Sequence, residues 1–133
     1  EIVPLRQSFP LTAVYSGVKM KTADVIRWLE ERRALNADYF ERIFDRMDAS
    51  TGEVVDDFSQ LGRMLILNQK LMEEMGLCNA ALAEIIAGFR EQGVPAKISG
   101  SGLGDCAIGL GDFPASGKYR SYPLRVSAEG VRS

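Results

Sequence analysis

The stretch Lys97-Ile98-Ser99-Gly100-Ser101-Gly102-Leu103-Gly104-Asp105-Cys106-Ala107-Ile108 decides how the chain is read. Apolar residues recur with period two at both ends and lose that period in the middle. The pattern predicts two short strands, 96–99 and 106–110, joined by a loop at 100–105. Glycines at 100, 102 and 104 let this loop pass close to another group, be it a phosphate, a substrate or a second loop. A tight turn with no ligand explains the same spacing. Some of these glycines are expected at φ > 0, and Gly102→Val is expected to lower activity more than stability.

Working upstream, Gly93 and Pro95 stop a helix that Asn79 caps and that carries Leu82, Ile85, Ile86 and Phe89. A longer helix is predicted over about 54–75, with Val54, Phe58, Leu61, Leu65, Met72 and Met75 on its buried face, Asn68 among them, and Gly76 ending it. Another covers 37–48 through Phe40, Ile43, Phe44 and Met47, and Ser50-Thr51-Gly52 reads as the break between the two. Thr22 reads as the N-cap of a first helix with Val25, Ile26 and Leu29 on its stripe and Trp28 as a partly buried anchor. Residues 9–15 alternate, Phe9, Leu11, Ala13 and Tyr15 on one side and Pro10, Thr12 and Val14 on the other, as a strand does. Downstream, residues 112–121 are loop-like, and Tyr122, Leu124, Val126 and Ala128 make a last strand. One strand, four helices and three strands give an α+β domain, with helices on one face of a mostly antiparallel sheet.

A length of 133 residues suits one domain, and 46% apolar residues suffice for one core. A net charge of −2 with scattered Lys and Arg argues against a nucleic-acid or membrane-surface protein. Cys78 and Cys106 lie outside any CxxC pair and there is no histidine, which argues against a disulfide framework and a zinc site. Both read as reduced, packed thiols of a cytoplasmic protein. No apolar run reaches membrane-spanning length and no signal peptide is visible. Glu1 stands directly ahead of a strand, and the natural protein is expected to begin earlier.

The run 97–108 resembles the third motif of the GHMP kinases, K-[LI]-[TS]-G-[AS]-G-x-G-G-C followed by apolar strand residues. Tyr15-Ser16-Gly17-Val18-Lys19-Met20-Lys21-Thr22 resembles the T-G-V-x-x-x-T stretch of the mevalonate kinase branch, and Leu67-Asn68-Gln69-Lys70-Leu71-Met72 resembles its N-Q-x-L-L helix segment. The joint match, in order and at plausible spacing, is far more specific than any one of the three.

The resemblance implies a ferredoxin-like α+β domain with additional helices, the C-terminal lobe of a two-lobe small-molecule kinase. ATP and Mg²⁺ belong to the full-length enzyme, whose N-terminal lobe carries the nucleotide loop and the catalytic Asp and Lys. No P-x-x-x-G-L-G-S-S-A-like stretch occurs here, so no catalytic residue is assigned and the chain alone is expected to be inactive. The resemblance marks Gly100, Ser101, Gly102, Leu103, Gly104 and Asp105 as the glycine-rich loop, and Lys19, Thr22 and Asn68 as substrate-side candidates. The plainer readings are a cap for Thr22, a boundary amide satisfied by backbone or water for Asn68, and a solvated side chain for Lys19.

Family members commonly have glycines where this chain has Leu103 and Asp105, and a carboxylate at 105 would repel a nearby phosphate unless it faces away or approaches through a metal ion. The family also has a helix between its last two strands, where this chain has only about ten loop-like residues that include Phe113-Pro114-Ala115-Ser116-Gly117. Expected partners are a small-molecule substrate and the N-terminal lobe, with a homodimer through the uncovered interlobe surface. Phosphomevalonate kinase, diphosphomevalonate decarboxylase, homoserine kinase and galactokinase are the alternatives within the family, and a non-catalytic binding module the alternative outside it.

Overall fold

Four strands, β1 (Phe9–Tyr15), β2 (Ala96–Ser99), β3 (Cys106–Leu110) and β4 (Ser121–Val126), form one antiparallel sheet in the order β2-β3-β1-β4. The structure is a computed structural model and describes residues 4–113 and 118–129. In the register of the sheet Val14 lies opposite Ala107, and Ala107 opposite Ile98. All three are buried in one apolar cluster with the helices. This is the α+β architecture, and the ferredoxin-like sheet, expected from the sequence.

Helices α1 (Thr22–Leu35), α2 (Ala37–Asp56), α3 (Leu61–Glu74) and α4 (Ala80–Glu91) supply most of that cluster, among others through Val25, Phe40, Ile43, Leu71, Met72, Leu82, Ile86 and Phe89. Phe89 reaches the sheet over Gly109, where a Cβ would overlap its ring. On α1 the apolar stripe is narrower than the sequence suggests, because Ile26 is 53% exposed while Trp28 and Leu29 pack against the core.

Two helix boundaries differ from the reading above. Ser50-Thr51-Gly52 does not break a helix, since α2 runs through it to Asp56. The buried stripe Phe40, Ile43, Ser50, Val54 keeps helical spacing across the segment. Ser50 and Thr51 return their hydroxyls to the Met47 carbonyl, at 2.9 and 3.0 Å. The break comes at Asp57, whose extended backbone is followed by a 3₁₀ turn, Phe58–Gln60, and whose carboxylate accepts from the Ser59 N–H at 3.1 Å. Thr22 is likewise not the N-cap. Lys21 holds that position with no side-chain bond, and Thr22 is the first helical residue.

The sheet edges are managed differently. Along β2 the Ile98 N–H points outward and meets the Gln69 Oε1 of α3 at 2.8 Å, while the Lys97 ammonium donates to the Ile98 carbonyl at 2.6 Å. Burial pushes the Lys97 ammonium below the usual lysine range. On the other edge Tyr15 N–H donates to Arg120 O at 2.9 Å, so the alternation of the ladder turns the Pro123 nitrogen outward, where no N–H is missed. Tyr122 and Leu124 stay 44% and 48% exposed. Ahead of β4, Lys118 and Tyr119 are tied to Glu84 of α4, the tyrosine hydroxyl donating at 2.7 Å. The short connection expected between the last two strands falls partly on 114–117, outside the described residues. Among the described residues no helix occupies that place, and no helix is long and apolar enough to cross a membrane.

Candidate functional site

The loop 100–105 leaves β2 and enters β3, so the sheet fixes both its ends. Its interior alternates between residues that lack a side chain and residues tied on both backbone groups. At Leu103 the N–H donates to the Leu77 carbonyl at 2.7 Å, and the C=O accepts from Asn79 Nδ2 at 3.0 Å. At Asp105 the N–H donates to the Val18 carbonyl at 2.7 Å, and the C=O accepts from the Ser16 N–H at 2.9 Å. Gly102 and Gly104 let these ties close. A Cβ on Gly102 would stand 2.7 Å from Leu77 Cβ, and one on Gly104 2.8 Å from Val18 O.

The partners of the loop are set by local sequence. Helix α3 ends in a Schellman turn, with Gly76 N–H to Glu73 O and Leu77 N–H to Met72 O, both at 3.0 Å. That turn aims the Leu77 carbonyl at the loop. Asn79 caps α4 as expected, its Oδ1 accepting from Leu82 N–H at 2.9 Å. On the other side Ser16 Oγ accepts from the Val18 N–H at 3.3 Å and shapes the turn that carries Val18 to Asp105.

Lys19 and Thr22 sit in the 16–22 segment beside the loop, both exposed. Asn68 is half-buried on α3, and no hydrogen bond joins it to the loop among the described residues. Its neighbour Gln69 is 1% exposed and holds Ile98, the residue just before Ser99 and the loop. Gln69, Leu77 and Asn79 were not singled out as site residues from sequence. The signal for Asn79 was present in its capping position, and that for Gln69 in the N-Q pair. A shallow recess of about 340 Å³, lined by Tyr15, Gly17, Lys118, Tyr119, Arg120 and Tyr122, opens beside the same turn.

Leu103 and Asp105 both have φ of 61°, the left-handed region that disfavours L-residues. This explains why a glycine suits position 105. Asp105→Gly is expected to stabilise the chain by up to about 1 kcal/mol, because relief of strain exceeds the entropy a glycine adds to the unfolded state. Urea denaturation measures it, and a loss of stability would show that the carboxylate makes a favourable contact. Burial first, and the Asp105 carboxylate second, push the Cys106 thiol up. Burial does the same at Cys78, so neither free cysteine is poised as a thiolate.

Residues 26–120 match the profile of the family described as GHMP kinases C terminal. A mevalonate kinase of Archaeoglobus fulgidus is 32% identical over 113 residues, covering 84% of this chain and 39% of that protein. The Saccharolobus solfataricus mevalonate kinase is 30% identical over 125 residues, covering 90% and 40%. Among solved structures, the Methanococcus jannaschii mevalonate kinase superposes with a TM-score of 0.72 at 20% identity, over 90% of this chain and 40% of that one. The L. major mevalonate kinase in complex with R-mevalonate gives 0.71 at 24% identity, over 84% and 35%. The chain thus spans about two fifths of the length of the curated relatives it matches. With the family profile covering most of its length and the fold shared with these enzymes, the chain belongs to the GHMP kinase family, as a C-terminal domain.

Proposed function

We propose that this chain is the C-terminal lobe of an ATP-dependent kinase that phosphorylates a hydroxyl of mevalonate, at a step of isoprenoid synthesis in the cytoplasm. The observation that carries the reading is the tie between Val18 and Asp105. It joins the two segments that resemble mevalonate kinase motifs, the 15–22 turn and the glycine loop, into one wall. The similarity to mevalonate kinases of two archaea supports the choice of acceptor.

The residues of this chain do not by themselves fit ATP and Mg²⁺. The Leu103 and Asp105 N–H groups are already engaged by Leu77 and Val18 and are not open to a phosphate. Among the described residues no group of three or more His, Cys, Asp or Glu could hold a metal ion. In this reading nucleotide and metal bind to an N-terminal lobe, the second partner besides the small-molecule substrate. The present chain, as the C-terminal lobe, contributes Lys19, as a cation for the acceptor carboxylate, and Thr22, beside the uncapped start of α1, where the helix dipole also favours an anion.

The test is an acceptor panel with the protein that carries both lobes: mevalonate, phosphomevalonate, diphosphomevalonate, homoserine and galactose. Mevalonate is expected to give the highest kcat/KM, and the 133-residue chain alone no turnover. A higher kcat/KM with another acceptor removes mevalonate and leaves the kinase reading standing. Turnover by the isolated chain overturns the two-lobe reading.

A further inference from the structure

Asn79 does two things at once that its usual substitutes at a helix start cannot. Its Oδ1 caps α4 by accepting from Leu82 N–H at 2.9 Å. Asp and Ser perform that task about as well as Asn, and Thr somewhat less well. Its Nδ2 donates to the Leu103 carbonyl at 3.0 Å. A carboxylate has no hydrogen to donate there, and a serine hydroxyl engaged as the cap is too short to span to the loop. The pair of contacts also fixes which end of the amide is which, since one partner is an N–H and the other a C=O.

The place of this contact gives it weight. The interior of the glycine loop is held by Leu103 and Asp105, each tied through both backbone groups. Three of those ties are backbone to backbone, and no side-chain substitution removes them. The fourth is the Asn79 amide. It acts on Leu103, a leucine at φ 61°, a conformation the residue leaves readily when not held.

We propose that Asn79 is a positioning residue for the glycine loop, holding Leu103 so that the loop presents Gly100 and Ser101 in one conformation to the phosphoryl-transfer site. The catalytic half of this inference rests on the function proposed above. The structural half does not. Phosphoryl transfer depends on positioning above all, so an unheld loop costs turnover before it costs binding.

Asn79→Asp and Asn79→Ser keep the cap and lose the donor, and Asn79→Ala loses both. In the 133-residue chain, amide hydrogen exchange of Leu103 is expected to quicken about tenfold in all three variants, as follows from losing one hydrogen bond. The Leu82 amide should stay protected in the Asp and Ser variants and lose protection only in Ala. In the two-lobe protein, Asp and Ser are expected to lower the thermal midpoint less than Ala does, by the loss of one hydrogen bond and not of the cap, while kcat falls about tenfold at nearly unchanged KM. If Asp and Ser restore kcat together with stability, Asn79 is a cap alone and the proposal is wrong. Unchanged exchange at Leu103 overturns it as well. A parent protein that phosphorylates no acceptor sinks the proposed function, and the exchange measurement then decides the loop tie by itself.

Discussion

Gly102→Val is expected to destabilise the chain by about 4 kcal/mol, from roughly 1–3 kcal/mol of backbone strain and a similar amount of overpacking. Gly102 has φ of 95°, where a β-branched residue fits poorly. The new Cβ would stand 2.7 Å from Leu77 Cβ and 2.9 Å from the Leu77 carbonyl oxygen. That oxygen cannot withdraw without breaking its bond from Leu103 N–H, and the Schellman turn fixes it from the other side. Gly100→Val is the control, because Gly100 has φ of 89° with nothing within 4 Å of its Cβ. It isolates the strain and is expected to lose only about half as much. Urea denaturation of both variants checks the difference, and equal losses would mean that Leu77 yields to the side chain. The sequence alone pointed to a loss of activity exceeding the loss of stability. The structure gives Gly102 a packing reason that operates with or without a phosphate nearby.

Gln69→Ala is expected to cost about 3–4 kcal/mol, through a lost hydrogen bond to a buried N–H and the cavity left behind. Gln69 is among the largest fully buried side chains, and its Oε1 meets the Ile98 N–H at 2.8 Å. Its Nε2 lies 3.8 Å from Cys78 Sγ, a weak acceptor, so the amide joins α3, the turn before α4 and the edge of β2. Without it the outward N–H of Ile98 is buried and unpaired, and the edge strand loses the group that covers it. Gln69→Met keeps the volume and removes the acceptor, which isolates the hydrogen-bond part at about 2 kcal/mol. Chemical denaturation of the two variants reads both parts. A Met variant as stable as the parent would show that another group satisfies Ile98.

Much of this architecture was legible in the sequence because it is locally encoded. The period of two at 9–15, 96–99 and 106–110 gave strands whose bounds agree with the structure. Asn79, Gly76 and Gly93 marked the ends of their helices, since capping depends on residues within a single turn. Where two local signals conflicted, the stronger one was tertiary. Ser50-Thr51-Gly52 carries the composition of a break, yet Ser50 fits the buried stripe of α2 and satisfies its hydroxyl on Met47, and burial of Val54 beyond it keeps the helix intact. Asp57, an ordinary charged residue in sequence, ends the helix because its carboxylate competes for the Ser59 N–H. The sequence by itself determined the number and order of the α-helices and strands, the place of the glycine loop and the resemblance that located it. Only the tertiary structure decided what the glycines are for. Leu77 and Val18 lie far from the loop in the chain, and no periodicity links them to it. They meet Leu103 and Asp105 because the sheet brings β3 beside β1 while α3 packs on β2 and α4 on β2 and β3, and the absence of two side chains is what lets backbone reach backbone there.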